Sequence, residues 1–112
     1  MAAREQHVMV CEGEWDIARA EEFARRANDA LASRAALIIL DFRPATFVDA
    51  STVGAICALA RTASKRGMAV AVVRGSGIVG RVFELARLAD VLPVAATPEH
   101  ALRGARLAVR LP

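Results

Sequence analysis

Two kinds of hydrophobic pattern alternate along this chain. Short β-type runs occur at His7–Cys11, Ala36–Leu40, Ala69–Val73 and Val91–Ala95. Between them lie longer stretches in which apolar residues return every three or four positions. An apolar run without polar alternation predicts a strand covered on both faces, which suits Ala36–Leu40 and Ala69–Val73. Pro93 places the last run at a sheet edge or strand end. The periodic stretches predict helices. The first starts at Ile17, with Ile17, Ala20, Phe23, Ala24, Ala27 and Leu31 on one face and Arg19, Glu22, Arg25, Arg26 and Asp29 on the other. Gly13-Glu14-Trp15-Asp16 turns the chain into it, and Asp16 stands at the N-cap position. A second helix is expected over Ser51–Arg66, closed by Gly67. A third spans Ile78–Ala89, with a broad apolar face of Ile78, Val79, Val82, Phe83, Leu85, Ala86 and Leu88. The last opens at Thr97-Pro98-Glu99, where Thr caps, Pro fits the first turn and Glu complements the helix dipole. Such alternation predicts an α/β fold with a mostly parallel central sheet of four to five strands and about four helices. No linker or repeat divides the chain, so a single domain over 1–112 is expected.

Composition narrows this picture. The 112 residues are 55% hydrophobic and 24% charged, which suits a compact globule. With four Phe, one Trp and no Tyr, the core must be built mainly from Val, Leu, Ile and Ala. Uninterrupted apolar runs such as Ala35–Leu40 fall far short of the ~20 residues of a membrane span. The start, Met1 to Gln6, lacks the apolar stretch of a signal peptide, so a cytoplasmic location is expected. Cys11 and Cys57 are isolated from each other and from His7 and His100, so no zinc spacing exists and both cysteines read as packing residues. The net charge is +3, yet along Asp16 to Arg34 the arginines are interleaved with acids. No basic block with interleaved aromatics is present, so no direct nucleic-acid contact is expected. Arg103, Arg106 and Arg110 fall on one face of the last helix, which reads as a solvated face or a surface for an acidic partner.

Chemistry concentrates in Phe47-Val48-Asp49-Ala50-Ser51-Thr52-Val53-Gly54-Ala55. This segment sets a hydroxyl pair after an apolar strand and before an apolar helix. Helix N-termini carry unpaired N–H groups and partial positive charge, so a serine there can accept a phosphate at little cost to the fold. Ser51 is the candidate, with Thr52 as second choice. Gly75-Ser76-Gly77-Ile78-Val79-Gly80 spells G-x-G-x-x-G between a strand and a helix, making Gly75, Gly77 and Gly80 candidate nucleotide contacts. The strand comes late, however, no acid follows the next strand at Ala96-Thr97, and a second mononucleotide half is missing. Glycines that make a tight strand-to-helix turn explain the pattern with less. A nucleophilic Ser51 would need His7 or His100 within reach as a base, and Asp41 and Asp49 would need a pocket to act as a carboxylate pair. No catalytic group, metal or cofactor is expected.

Several segments resemble the STAS domain family of anti-sigma factor antagonists. Val48-Asp49-Ala50-Ser51-Thr52-Val53-Gly54 is similar to its Asp-Ser-Ser/Thr-Gly-Leu-Gly signature, and Leu37-Ile38-Ile39-Leu40-Asp41 to the strand before it. Gly13-Glu14-Trp15-Asp16 resembles the family's N-terminal Gly-Glu-Leu/Ile-Asp turn. Arg81 to Leu88 looks like its third-helix segment, and Thr97 to Leu102 like the start of its last helix. The resemblance implies a partner that is both anti-sigma factor and serine kinase. The free antagonist would bind it and release the sigma factor, and phosphorylation of the second residue after the motif aspartate, here Ser51, would end binding. Ala50 departs from the pattern by removing the first hydroxyl, and Thr52 replaces the usual Gly. The alternatives are an unphosphorylated scaffold or transport-accessory STAS module, and a small nucleotide-binding protein using Gly75–Gly80.

The second helix carries two candidate faces. Val53, Ile56, Cys57 and Ala60 are expected to face the sheet. Ser51, Ala55, Leu59, Thr62 and Arg66 form a second stripe; with Asp49 and Thr52, its residues Ser51, Ala55, Leu59 and Thr62 are the expected partner contacts. A homodimer is compatible with the sequence.

Overall fold

A computed structural model describes residues 6–110, with side chains as far as Gly104. Six strands and four helices follow one another: β1 (Gln6–Val10), β2 (Gly13–Trp15), α1 (Ala20–Ala32), β3 (Leu37–Asp41), β4 (Ala45–Val48), α2 (Ala50–Lys65), β5 (Ala69–Val73), α3 (Gly77–Leu85), β6 (Val94–Ala95) and α4 (Pro98–Arg110). The main sheet is parallel throughout, in the order β1-β3-β5-β6, and β2 and β4 form a second, two-stranded parallel sheet.

Strand β3 explains the layering. All five of its residues are buried. Ile38 and Leu40 point into a core shared with α1, α2 and α3, where Phe23, Leu31, Ile56, Leu59, Val79 and Phe83 also lie. Leu37 and Ile39 point the other way, against Ala71, Val73 and Ala101 beneath α4. A sheet apolar on both faces must be covered on both faces. The order β1-β3-β5-β6 means successive crossovers advance in one direction across the sheet.

The expected elements are present, the last strand reduced to Val94–Ala95 from the expected Val91–Ala95, with four further adjustments. Gly13-Glu14-Trp15 is a short strand paired to β4, where the sequence reads as a turn. Ile17–Arg19 is a 3-10 turn capped by Asp16, whose side chain accepts from the Ala18 N–H, so the first α-helix starts at Ala20 and Ile17 is 70% exposed. Ala20 and Ala24 are also exposed, leaving Phe23, Ala27, Ala30 and Leu31 as the inner face. The third helix ends at Leu85 and is narrower than its sequence suggests, with Val79 and Phe83 buried but Ile78 and Leu85 exposed. Arg87 takes the left-handed conformation there and redirects the chain, so Leu88 enters the core from a separate 3-10 turn.

The fourth adjustment bears on function. The buried stripe of α2 is Thr52, Ile56, Leu59 and Ala63, and Leu59 is only 4% exposed. Leu59 is therefore a core residue and drops out of the expected partner surface. Its inward position follows from Thr52: the buried hydroxyl pins that position against Trp15, and residues 56, 59 and 63 follow at helical spacing. A polar Thr hides this in an apolar-only reading. The outward positions are Ala50, Ser51, Gly54, Ala58 and Arg61, while Ala55 and Thr62 are half-buried.

Removing Leu59 tests this register. Leu59→Ala should lower unfolding free energy by about 2–5 kcal/mol in urea titrations, and Leu59→Glu should give no cooperative transition. An exposed Leu59 would leave both variants near wild type.

Candidate functional site

The site forms where β2 and β4 end and α2 begins. Asp49 is the N-cap of α2, with extended backbone, and its Oδ1 accepts from the Thr52 N–H at 3.0 Å. Ser51 is exposed in the first turn, and its hydroxyl donates to the same Asp49 oxygen at 2.7 Å. The Ile17 backbone N–H favours the charged Asp49 carboxylate as the weakest of the influences on it. These donors, the Ser51 hydroxyl foremost, hold the Asp49 carboxyl below its ordinary range.

Thr52 plays a different part. It is 5% exposed, and its hydroxyl donates to the Trp15 carbonyl at 2.9 Å and lies 3.1 Å from Asp49 Oδ1. The Trp15 carbonyl also accepts from the Asp49 N–H at 3.1 Å. One carbonyl at the end of β2 thus ties down both the cap and the first turn of α2. As second-choice acceptor Thr52 is corrected: its oxygen is sealed within the fold, out of reach of an enzyme. The same burial removes it from direct partner contact. Ser51 is exposed and Asp49 half-buried; Ile17, two residues beyond Trp15, and Phe47, two residues before Asp49, are exposed apolar side chains on the neighbouring segments.

Trp15 is a structural anchor. Its ring meets Phe23 edge-on at 5.9 Å, and the Arg19 guanidinium lies 3.6 Å above its centroid. Arg19 in turn grips Glu22 through two hydrogen bonds of 2.9 Å and donates to the carbonyls of Glu12 and Glu14. This lashing fixes the loop whose Trp15 carbonyl holds Asp49 and Thr52. Reading the sequence by motif misses it, although Arg19 four positions after a lone Trp is a usable signal.

The remaining candidates do not assemble into a catalytic group. Ser51 has Asp49 as its side-chain partner among the described residues, with neither histidine in contact. His7 lies on β1, and His100 Nδ1 sits 3.1 Å from Thr97 Oγ1 at the start of α4. Asp41 is buried and bound to Arg43 through Nε at 3.0 Å, Nη2 at 2.7 Å and the backbone N–H at 3.0 Å. It is an ion-pair anchor whose side-chain partner among the described residues is Arg43, and the Arg43 guanidinium holds its carboxyl below the usual range.

The G-x-G-x-x-G glycines are accounted for by packing. A Cβ on Gly75 would stand 2.7 Å from the Phe42 carbonyl oxygen, and one on Gly80 would stand 2.6 Å from the Gly75 carbonyl oxygen. Gly77 has φ +63°, in the left-handed region that glycine enters freely. A cleft of about 570 Å³ adjoins this turn, lined by Arg43, Arg74, Ser76, Arg81, Glu84 and Ala96 among others. It presents both signs of charge. The Arg103 side chain is exposed on α4, while those of Arg106 and Arg110 lie outside the described residues. Among the described residues no helix is long and apolar enough to cross a membrane.

With the architecture and the Asp49–Ser51 geometry in place, comparison with known proteins decides the family. The STAS domain matches residues 2–101. The chain belongs to the STAS family. An anti-sigma factor antagonist from Mycobacterium paratuberculosis superposes with a TM-score of 0.81 at 20% identity, covering 91% of this chain and 86% of that one. The anti-sigma factor antagonist SpoIIAA in its unphosphorylated form gives a TM-score of 0.73 at 25% identity, over 100% of this chain and 96% of the other. A sulfate transporter family protein from Wolinella succinogenes gives 0.72 at 19% identity, over 96% and 89%. No curated protein matches the sequence. The fold of this STAS domain is thus shared with anti-sigma factor antagonists and with a sulfate transporter family protein.

Two measurements follow. Gly80→Ala should destabilise the fold by about 1–3 kcal/mol through the carbonyl clash, whereas Gly54→Ala, which meets nothing within 4 Å on exposed α2, should stabilise it by about 0.5–1 kcal/mol in urea unfolding. The second concerns acid. Because the folded Asp41 carboxyl lies below its ordinary value of 3.8, the unfolded chain binds the proton first, so the stability from Asp41 is present above that pH and lost as pH falls through the folded value. Stability curves from pH 6 to pH 2 should therefore fall less steeply for Asp41→Asn than for wild type.

Proposed function

We propose that this STAS domain is an anti-sigma factor antagonist switched by phosphorylation of Ser51. The single observation that carries the reading is an exposed Ser51 hydroxyl, held by Asp49 at the first turn of α2, beside a Thr52 hydroxyl withdrawn from solvent. The partner is an anti-sigma factor that is also a serine kinase. The unmodified antagonist binds it and frees the sigma factor, and the modified form lets go.

The physical basis lies at the surface. In the transfer, Ser51 Oγ bonds to the γ-phosphorus of ATP, the bond to ADP breaks, and the hydroxyl proton is released to solvent. The product carries about −1.5 to −2 charges and three acceptor oxygens. Helix-terminal amides favour this charge while Asp49, 2.7 Å from the acceptor oxygen, opposes it. The opposing effects leave the fold intact. A partner packed over Ser51, Asp49, Ala55 and Thr62, with Ile17 and Phe47 at the margin, would have to desolvate a dianion. Losing ~3 kcal/mol of binding free energy lowers affinity more than a hundredfold.

A second reading, a STAS module of transport accessories that is never phosphorylated, draws support from Ala50 and Thr52, which depart from the antagonist signature, and from the likeness to a sulfate transporter family protein. Incubation with the candidate anti-sigma kinase and ATP, followed by mass mapping, should place one phosphate on Ser51 and none on Thr52. Ser51→Asp should bind that kinase at least a hundredfold more weakly than wild type. Absence of modification together with equal affinity would transfer the assignment to the transport-accessory reading.

A further inference from the structure

Thr52 has one hydroxyl hydrogen and two acceptors within its reach. Oγ1 is 2.9 Å from the Trp15 carbonyl oxygen and 3.1 Å from Asp49 Oδ1, and a single hydrogen serves one of them at full strength. Both acceptors have other donors. The Trp15 oxygen also receives the Asp49 N–H at 3.1 Å, and Asp49 Oδ1 receives the Thr52 N–H at 3.0 Å and the Ser51 hydroxyl at 2.7 Å. With Ser51 unmodified, every acceptor in the cluster is satisfied when the Thr52 hydrogen lies on Trp15.

We propose that Thr52 is a positioning residue that preserves the cap of α2 through phosphorylation, its hydroxyl hydrogen turning from the Trp15 carbonyl to Asp49 Oδ1 when Ser51 carries phosphate. The inference rests on Ser51 being the modified residue. As Oγ accepts the γ-phosphoryl group of ATP and ADP departs, the hydrogen that Ser51 gave to Asp49 is released to solvent as a proton. Asp49 Oδ1 then loses its shortest donor at the moment a dianion arrives beside it. Rotation about the Thr52 Cβ–Oγ bond replaces that donor, and both heavy-atom distances already lie within hydrogen-bond range. The Trp15 oxygen gives up one donor and keeps the other. The loss therefore falls on a neutral carbonyl that has a spare partner, and the charged cap keeps its bonds. An Ala, Gly or Val at position 52 has no hydrogen to move.

The test uses phosphoserine inserted at position 51 by codon reassignment, so no kinase takes part. Urea unfolding is measured for four proteins, with Thr or Val at 52 and Ser or phosphoserine at 51. Thr52→Val should lower the folding equilibrium constant by about fivefold in the Ser51 background and about thirtyfold in the phosphoserine background, because a hydrogen bond to a charged acceptor is worth more than one to a neutral acceptor. Thr52→Ser should restore most of the difference. A merely structural hydroxyl would give equal losses in both backgrounds, and equal losses overturn the proposal. Should Thr52→Val not fold, the Trp15 carbonyl ¹³C shift decides the matter with Thr52 intact: it should move on phosphorylation, and an unmoved shift overturns the proposal. Because the phosphate is installed during synthesis, failure here leaves the kinase assignment standing, and failure of mass mapping leaves this result standing.

Discussion

Burial of β3 from both sides is the constraint from which the rest of the molecule follows. Five consecutive buried residues cannot be covered by helices on one face alone. Ile38 and Leu40 therefore draw α1, α2 and α3 together on one side, while Leu37 and Ile39 draw α4 onto the other. The chain leaving β3 emerges at the strands' C-terminal end, where Asp41 and Arg43 lock the exit and β4 runs on parallel to β2. The Asp49 cap and Ser51 lie one step beyond that exit, and their exposure is a consequence of the layering.

Trp15 then converts position into precision. Its carbonyl accepts from Asp49 and Thr52, and its ring is held between Phe23 and Arg19. Two segments distant in sequence, 13–19 and 45–52, thereby become one platform beneath the exposed Ser51 hydroxyl. A modification at that hydroxyl acts on whatever packs over the platform, because the groups beneath it are bonded among themselves. The same arrangement separates two adjacent hydroxyls into different roles, Ser51 for solvent and Thr52 for the interior.

Much of this was legible in advance. The four main-sheet strands, the four helices and the parallel α/β class follow from hydrophobic period and from Gly and Pro punctuation, and Ala69–Val73 is a strand with the bounds the pattern suggests. The signature around Asp49 correctly marks a strand-to-helix junction. Elsewhere periodicity misleads. Ile17, Ile78 and Leu85 are apolar at helical spacing and yet face water: Ile17 lies in a 3-10 turn ahead of the helix, and Ile78 and Leu85 lie outside the Val79–Phe83 face by which the third helix packs. Leu59 is the reverse case, a core residue that the position of one polar neighbour disguises.

From the amino-acid order alone come the fold class, the family resemblance and the short list of hydroxyls, since these depend on local pattern, on turn chemistry and on residues adjacent in the chain. Which of Ser51 and Thr52 meets solvent, which face of α2 looks outward, and why Gly75 and Gly80 tolerate no side chain were decided only in three dimensions. Each depends on a backbone carbonyl, those of Trp15 and Phe42 from remote segments and that of Gly75 from the turn just before, or on a contact made after the crossover helices have packed. Carbonyls carry no identity in a sequence, so their partners become visible only when the chain has closed on itself.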